Sequence, residues 1–378
     1  MRLALTLGGT DHGRSGIGTY VRALLPHLAH ACERLLVFGT QRELDAYRGE
    51  LAGAERHSIP PTFGGPGPSA VWHAAWAGRA AARAGADVLL LPAANRRVTV
   101  GSPIPTVAVV HDLAQLHVRA KYDPLRVLYV RRFVVGALAA ATALVAVSGA
   151  TRSDLADALG LPLDAVRVVL NGVDAARFAP ALPGDARVRA ARARLGLSLP
   201  YLLYLARLEH PGKNHLRLLR AYASSRARGS HALVLAGADW GAGPRIREEI
   251  AALGLGDRVR LTGYVDDDLV PGLVAGADGV AMVGLREGFG LPALEALAAG
   301  RPVIAARAGA LPEVVGDLSA ACDPLDEGSI AAAIDRALFD EALRARARDE
   351  GPASARRRDW ATAAAQLLDA CRKAGSLA

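Results

Sequence analysis

Short apolar runs recur along the chain at 3–7, 35–38, 88–91, 106–110, 143–147 and 166–170, and again at 201–205, 232–236, 259–262, 279–283 and 302–305. Each run has the length and composition of a strand. Longer stretches with helical spacing separate them. In the first round these lie at 18–31, 72–84, 123–140 and 148–159, and in the second at 214–228, 245–252, 269–275, 291–299 and 329–341. Strands alternating with helices predict parallel α/β sheets, and two rounds predict two such domains. Residues 174–200 hold Pro180, Pro183, Gly184, Gly196 and Pro200 and read as the boundary. The expected division is an N-terminal domain 1–178, a C-terminal domain 179–355 and a terminal helix 356–378 with no assigned packing partner. In such sheets ligands sit beyond the carboxyl ends of the strands, which predicts a site in the cleft between the domains.

Composition narrows the class. With 378 residues, 51% hydrophobic and 22% charged, the chain can build large cores and carries no disordered tract. Cys32, Cys322 and Cys371 show no C-x-x-C spacing, which argues against a disulfide framework or structural zinc and fits a reducing cytosol. The N-terminal apolar stretch is too short for a signal peptide. The uncharged stretch 133–150 is diluted by Ala, Gly, Thr and Ser, and reads as a helix end followed by a strand rather than a membrane span. A soluble, cytoplasmic chain is expected.

The net charge of +8 is uneven. Residues 1–178 hold 19 basic and 13 acidic residues, net +6, and the remainder 26 and 24, net +2. That excess suits an anionic partner such as a lipid surface or lipid phosphate. Nucleic acid is disfavoured because aromatics are 5% and no nucleic-acid-binding motif is present. The basic stretch 119–133, with Arg119, Lys121, Arg126, Arg131 and Arg132, could form an interfacial helix at an anionic membrane. A core helix with arginines on its wet face fits it equally well.

Several stretches carry chemistry. Gly13-Arg-Ser-Gly16-Ile-Gly18-Thr-Tyr20 follows the first strand and opens a helix, so its amides can approach an anion or substrate. The order is G-x-x-G-x-G rather than G-x-G-x-x-G, and the second strand ends in Phe38-Gly39-Thr40 without an acid, which disfavours a dinucleotide-binding dehydrogenase. His111-Asp112 follows a strand directly and is expected to face the cleft. There the imidazole or its carbonyl could meet a hydroxyl or developing positive charge. Arg207 and Lys213 lie six apart across His210-Pro211-Gly212 and can converge on one diphosphate, the arginine by its planar fork and the lysine as a point charge.

The most specific stretch is Glu287-Gly288-Phe289-Gly290-Leu291-Pro292-Ala293-Leu294-Glu295. Its glycines free amides at a helix N-terminus for phosphate and sugar oxygens, while Glu295 can take two vicinal ribose hydroxyls and Glu287 the hydroxyls of a sugar. Asp266-Asp267-Asp268 could be read as a D-x-D metal site, but lies just before a helix and is better read as capping carboxylates.

Together these stretches, with Val145-Ala146-Val147-Ser148 and Asn171-Gly172-Val173-Asp174, resemble family 4 of the retaining glycosyltransferases over nearly the whole chain. The resemblance implies a GT-B fold, two Rossmann-like parallel-sheet domains facing each other across a deep cleft. It implies that Arg207 and Lys213 bind the donor diphosphate, Glu295 the ribose and Glu287 the donor sugar, with His111 near sugar and acceptor. Gly16, Gly18, Gly288, Phe289, Gly290 and Leu291 would line the donor, and Tyr264 and Val265 would edge the nucleobase. No cofactor or metal is implied, only a nucleotide-sugar co-substrate.

The wording around Arg207 resembles bacterial mannosyltransferases of surface-polysaccharide assembly. GDP-mannose is therefore the leading donor, with UDP- and dTDP-sugars as alternatives. The implied acceptor is a lipid-linked saccharide at the inner face of the plasma membrane, against a soluble saccharide or aglycone. A sugar-nucleotide epimerase of the same fold and a non-catalytic nucleotide-sugar-binding protein remain the rival classes.

Overall fold

The computed structural model describes residues 1–113 and 130–376. The chain divides into two units, Met1–Gly172 together with Trp360–Ala378, and Val173–Asp359.

The first unit is built on a seven-stranded sheet: β1 (Arg2–Thr6), β2 (Arg34–Thr40), β3 (Glu55–Ile59), β4 (Val88–Leu91), β5 (Thr106–Val110), β6 (Ala143–Ala146) and β7 (Val166–Val168), in the order β3-β2-β1-β4-β5-β6-β7. Every pairing is parallel, with Leu3 of β1 opposite Leu35 of β2 on one side and Val88 of β4 on the other. The second unit holds β8 (Tyr201–Leu205), β9 (Ala232–Ala236), β10 (Val259–Gly263), β11 (Gly279–Met282), β12 (Val303–Ala306) and β13 (Ser319–Cys322), in the order β10-β9-β8-β11-β12-β13, again all parallel. Helices cover both faces of a parallel sheet, so strands such as β4, β5, β11 and β12 are buried along their whole length. That is why they read as unbroken apolar runs.

Two strands escaped the sequence reading. β3 is an edge strand whose Glu55, Arg56 and Ser58 are exposed, and β13 is built from Ser, Ala and Cys. Neither offers a bulky apolar run. Other expectations are corrected. By contacts the division falls at Gly172/Val173, a few residues before the expected 178/179, and a helix, Ala186–Leu195, occupies part of the stretch 174–200. Its prolines and glycines are helix punctuation. Asp185 caps the start through Arg187 N–H, and Gly196, with φ +66, ends it. The last helix, Trp360–Ser376, begins later than residue 356 and belongs to the first unit, where it packs on the helix Gly16–Ala31. The expected helix 72–84 is broken into Pro66–Trp72, a π-helical turn His73–Ala77, and Gly78–Arg83. At its centre Gly78 approaches Ser102 too closely for a Cβ. The basic stretch 119–133 lies largely outside the described residues.

In each sheet the connections reverse direction at one place, beside β1 and β4 in the first unit and beside β8 and β11 in the second. At such a switch point the loops leaving two neighbouring strands splay apart and leave a crevice. The glycine loop after β1 and residues 92–97 after β4 stand at one. The loops carrying Arg207 and Lys213 (after β8) and Glu287 (after β11) stand at the other.

Candidate active site

In the second unit the loops after β8 and β11 are tied together, because Leu285 N–H donates to the Gly212 carbonyl at 2.9 Å. This brings Lys213 to Glu287: the lysine Nζ lies 2.8 and 2.9 Å from the two carboxylate oxygens. Both side chains are largely buried, 22% and 11% exposed, so the pair is desolvated and strongly directional. The carboxylate lies over Gly284, where a Cβ would stand 2.5 Å from Glu287 Oε1. Its backbone is braced by Ala310 N–H, which donates to the Glu287 carbonyl at 2.9 Å. Gly309, with φ +59, makes that approach possible, since a Cβ there would be 2.3 Å from the same carbonyl oxygen.

The turn itself is fixed by Asn214. Its left-handed backbone (φ +57) closes the turn, and its buried Nδ2 donates to the carbonyls of Val283 and Pro324 at 3.0 and 2.6 Å. Tyr204, wholly buried in β8, donates its hydroxyl to the Lys213 carbonyl at 2.6 Å. Arg207 does not share Lys213's partner. Its guanidinium carbon lies over the Trp240 ring, 4.2 Å from the centroid, and its Nη2 donates to the carboxylate of buried Glu209 at 3.4 Å.

Gly290 (φ +93) opens the helix Leu291–Ala298 with no side-chain cap, so the first amides are left for an anion. Pro292 carries no N–H, which leaves the backbone around Gly290 and Leu291 to supply the donors. Phe289 is buried, and offers only its main chain. One turn on, burial pushes the Glu295 carboxyl up to about 7, against the opposing pull of Arg177 and with a further push from Asp267. Tyr264 is exposed and Val265 buried, just after Gly263 (φ +70) at the end of β10.

The three aspartates before the next helix do not cap it. The helix Val270–Ala275 has Leu269 at its start with no side-chain capping bond, and Leu269 N–H instead donates to the Asp266 carbonyl. Pro271 already removes one of the amides a cap would satisfy. Among the described residues no group of three or more His, Cys, Asp or Glu side chains is placed to hold a metal ion.

In the first unit Ser15 caps the helix Gly16–Ala31 by accepting from Gly18 N–H. Gly18 has no room for a side chain, since a Cβ would be 2.6 Å from the Gly13 backbone, whereas Gly16 opens on free space. Asp11 and His12 take left-handed backbone, and Arg96 after β4 holds that bend by donating to the Asp11 carboxylate (2.7 Å) and the Gly9 carbonyl (2.9 Å).

His111 is buried rather than exposed toward a cleft. Its Nε2 lies 2.8 Å from the Pro92 carbonyl, and its ring meets Tyr20 edge-on at 4.7 Å. Tyr20 in turn packs against Trp360 of the last helix. Burial pushes the imidazole down to about 4, against the raising influence of the Pro92 carbonyl and Asp112, so it is neutral at pH 7. A carbonyl can only accept, so Nε2 carries the proton and Nδ1 is the free-electron-pair nitrogen. Ser148 caps the helix Gly149–Leu159 and orients Thr151, whose hydroxyl donates to the His111 carbonyl at 3.2 Å.

The sequence reading missed the residues that hold its candidates in place: Asn214, Tyr204, Gly284 and Gly309 in one unit, Arg96 and Thr151 in the other. A lone asparagine between a lysine and a helix start was the available signal for the first. It also missed Trp240 beneath Arg207.

Comparison with known proteins identifies the chain from both ends. The family described as Glycosyltransferase Family 4 matches residues 14–177, and the one described as Glycosyl transferases group 1 matches residues 190–354. The O-antigen chain mannosyltransferase B of Escherichia coli is 30% identical over 70% of this chain and 69% of its own length. A D-inositol 3-phosphate glycosyltransferase of Xylanimonas cellulosilytica is 34% identical over 70% of this chain and 66% of its own. Among solved structures, Anabaena Alr3699/HepE in complex with UDP and glucose superposes with a TM-score of 0.76 at 21% identity, covering 98% of this chain and 99% of that one.

Proposed function

The chain belongs to family 4 of the glycosyltransferases and has the GT-B fold, and on that premise we propose that it moves a sugar from a nucleotide-sugar to an acceptor hydroxyl, retaining the anomeric configuration and using no metal ion. The observation that carries this reading is the buried Lys213–Glu287 pair beside an uncapped helix start. A diphosphate leaving group needs cations and aimed amides where its charge develops, and a sugar needs an acceptor of its hydroxyl hydrogens close by. Lys213, Arg207 and the amides around Gly290 and Leu291 supply the first, and Glu287 the second. Glu295 takes the ribose hydroxyls.

In the reaction the acceptor oxygen bonds to the anomeric carbon as the bond from that carbon to the diphosphate oxygen breaks. The electron pair stays on the diphosphate, which takes the acceptor's proton. Lys213 and Arg207 stabilise that charge, each contributing about 3–4 kcal/mol by analogy with oxyanion donors. No side chain is assigned as a covalent nucleophile. Neutral His111 offers an acceptor nitrogen and a braced carbonyl on the acceptor side.

The E. coli relative, named an O-antigen chain mannosyltransferase, supports mannose as the transferred sugar and a surface saccharide as acceptor, and on the sequence resemblance GDP-mannose is the proposed donor and a lipid-linked saccharide the proposed acceptor. The structural neighbour with UDP keeps a UDP-sugar as the second reading. The basic first unit suits a peripheral contact with anionic membrane, and no helix among the described residues is long and apolar enough to cross one. Thermal unfolding with GDP, UDP, dTDP and NAD, each with and without EDTA, tests the proposal. A nucleoside diphosphate at about 100 times its Kd adds about 2.7 kcal/mol. Stabilisation by one nucleoside diphosphate, unchanged by EDTA, supports the reading and names the base. A response only to NAD, or only with metal present, overturns it.

A further inference from the structure

Arg207 stands just past β8, where a diphosphate ligand is required by the reading above, and the buried Glu209 carboxylate reaches its Nη2 at 3.4 Å. On its face lies Trp240, a residue 53% exposed. A tryptophan half in water is not explained by core packing. Its backbone, however, is firmly placed. The pairing of β8 with β9 continues beyond both strands: Leu208 N–H donates to the Ala238 carbonyl at 2.9 Å, and Trp240 N–H to the Leu208 carbonyl at 3.0 Å. Asp239 then locks the turn, its Oδ1 accepting from both Gly241 and Gly243 N–H at 2.9 Å. A side chain at 243 would collide with that carboxylate. The segment from Asp239 to Gly243 therefore holds one aromatic face in a fixed place beside Arg207.

We infer that Trp240 is a positioning residue for Arg207, a platform that aims its guanidinium at the donor diphosphate; the inference rests on the proposed site. The geometry separates two ways of holding an arginine. A carboxylate would occupy the N–H edges and cancel the charge. Stacking uses only the flat face, leaving the in-plane donors and the full positive charge for phosphate oxygens. Arg207 combines the two: buried Glu209 reaches its Nη2 at 3.4 Å, while the Trp240 ring lies 4.2 Å from its guanidinium carbon and takes up none of its N–H donors, so the donors that Glu209 does not meet stay available to phosphate. Because both residues leave neighbouring strands of one sheet, the platform and the arginine move together.

The test is a double-mutant cycle read by calorimetric titration with the tightest-binding of GDP, UDP and dTDP and with its parent nucleoside. Trp240→Ala raises the Kd for the diphosphate about tenfold, equivalent to about 1.4 kcal/mol, within the span of cation–π contacts. The Kd for the nucleoside stays within twofold. Trp240→Phe restores most of the affinity and Trp240→Leu, which keeps bulk without the π face, does not. In an Arg207→Ala background, adding Trp240→Ala changes the diphosphate Kd less than twofold.

The inference is overturned if Trp240→Ala binds diphosphate like wild type while Arg207→Ala is weakened. It is also overturned if the tryptophan effect persists undiminished without Arg207, if nucleoside affinity falls equally, or if leucine rescues as well as phenylalanine. If Arg207→Ala itself binds diphosphate normally, the underlying assignment of Arg207 fails instead.

Discussion

Asn214 offers the sharpest test of how the donor-side turn is built. The substitution Asn214→Ala removes three hydrogen bonds: two at 3.0 and 2.6 Å, whose acceptors are the carbonyls of buried Val283 and Pro324, and one at 3.1 Å that Oδ1 accepts from Arg217. Each abandoned buried acceptor costs about 1–3 kcal/mol. Alanine must also adopt the left-handed backbone that asparagine tolerates at φ +57, a further penalty of about 1 kcal/mol. The expected loss is about 3–7 kcal/mol of stability in the second unit. Asn214→Gly removes the same bonds but not the backbone preference, and should cost about 1 kcal/mol less. Asn214→Asp keeps the shape but turns an oxygen toward two carbonyls, and should be the worst of the three.

Urea unfolding of the four proteins, followed by tryptophan fluorescence and far-ultraviolet circular dichroism, measures this order. In thermal scans each 1 kcal/mol corresponds to about 2–4 °C for a unit of this size. Lys213 precedes the asparagine directly, so nucleoside diphosphate affinity should fall in the same order. An alanine variant within about 0.5 kcal/mol of wild type, the tolerance of an ordinary surface site, would refute the reasoning. So would a glycine variant less stable than the alanine one.

Lys213→Ala and Glu287→Ala, each leaving a largely buried charge without its partner, should cut sugar transfer by about 100-fold or more, measured as product formed from the cognate nucleotide-sugar. Near wild-type turnover in folded variants would remove both from the site. Gly18→Ala drives a Cβ to 2.6 Å from the Gly13 backbone and should destabilise the first unit by about 1–3 kcal/mol, whereas Gly16→Ala meets no atom and should not, as judged by urea midpoints. For Glu295, native pKa about 7 against 4.5 means the native state binds the extra proton between those values. Stability should then fall as pH rises through that window, with the penalty fully present above about 7. Because Glu295 is only half-buried, the advantage of Glu295→Gln should grow by about 1–3 kcal/mol between pH 4.5 and 8 in urea titrations, and a constant difference would contradict it.

Much of the site was legible because its chemistry depends on residue type and local spacing. A glycine before a helix, an arginine and lysine across a tight turn, and two carboxylates eight residues apart carry their meaning along the chain. The strands were legible for a related reason: a parallel sheet covered on both faces writes each central strand as an unbroken apolar run. Where that condition lapses, at the wet edge strand β3 and the small-residue strand β13, the signal lapses with it.

What the sequence determined, then, was two parallel α/β domains and the chemical inventory at the carboxyl ends of their strands. Partnership was decided only by the tertiary structure. That Lys213 meets Glu287 rather than Arg207, that Arg207 lies on Trp240, and that Asn214 ties three loops together depend on strand order, with β8 between β9 and β11. The burial of His111 behind Tyr20 and Trp360, and with it a neutral ring of fixed tautomer, likewise needed the last helix to return to the first sheet. Such contacts join positions tens to hundreds of residues apart, and side-chain patterning carries no information about which loops the sheet brings side by side.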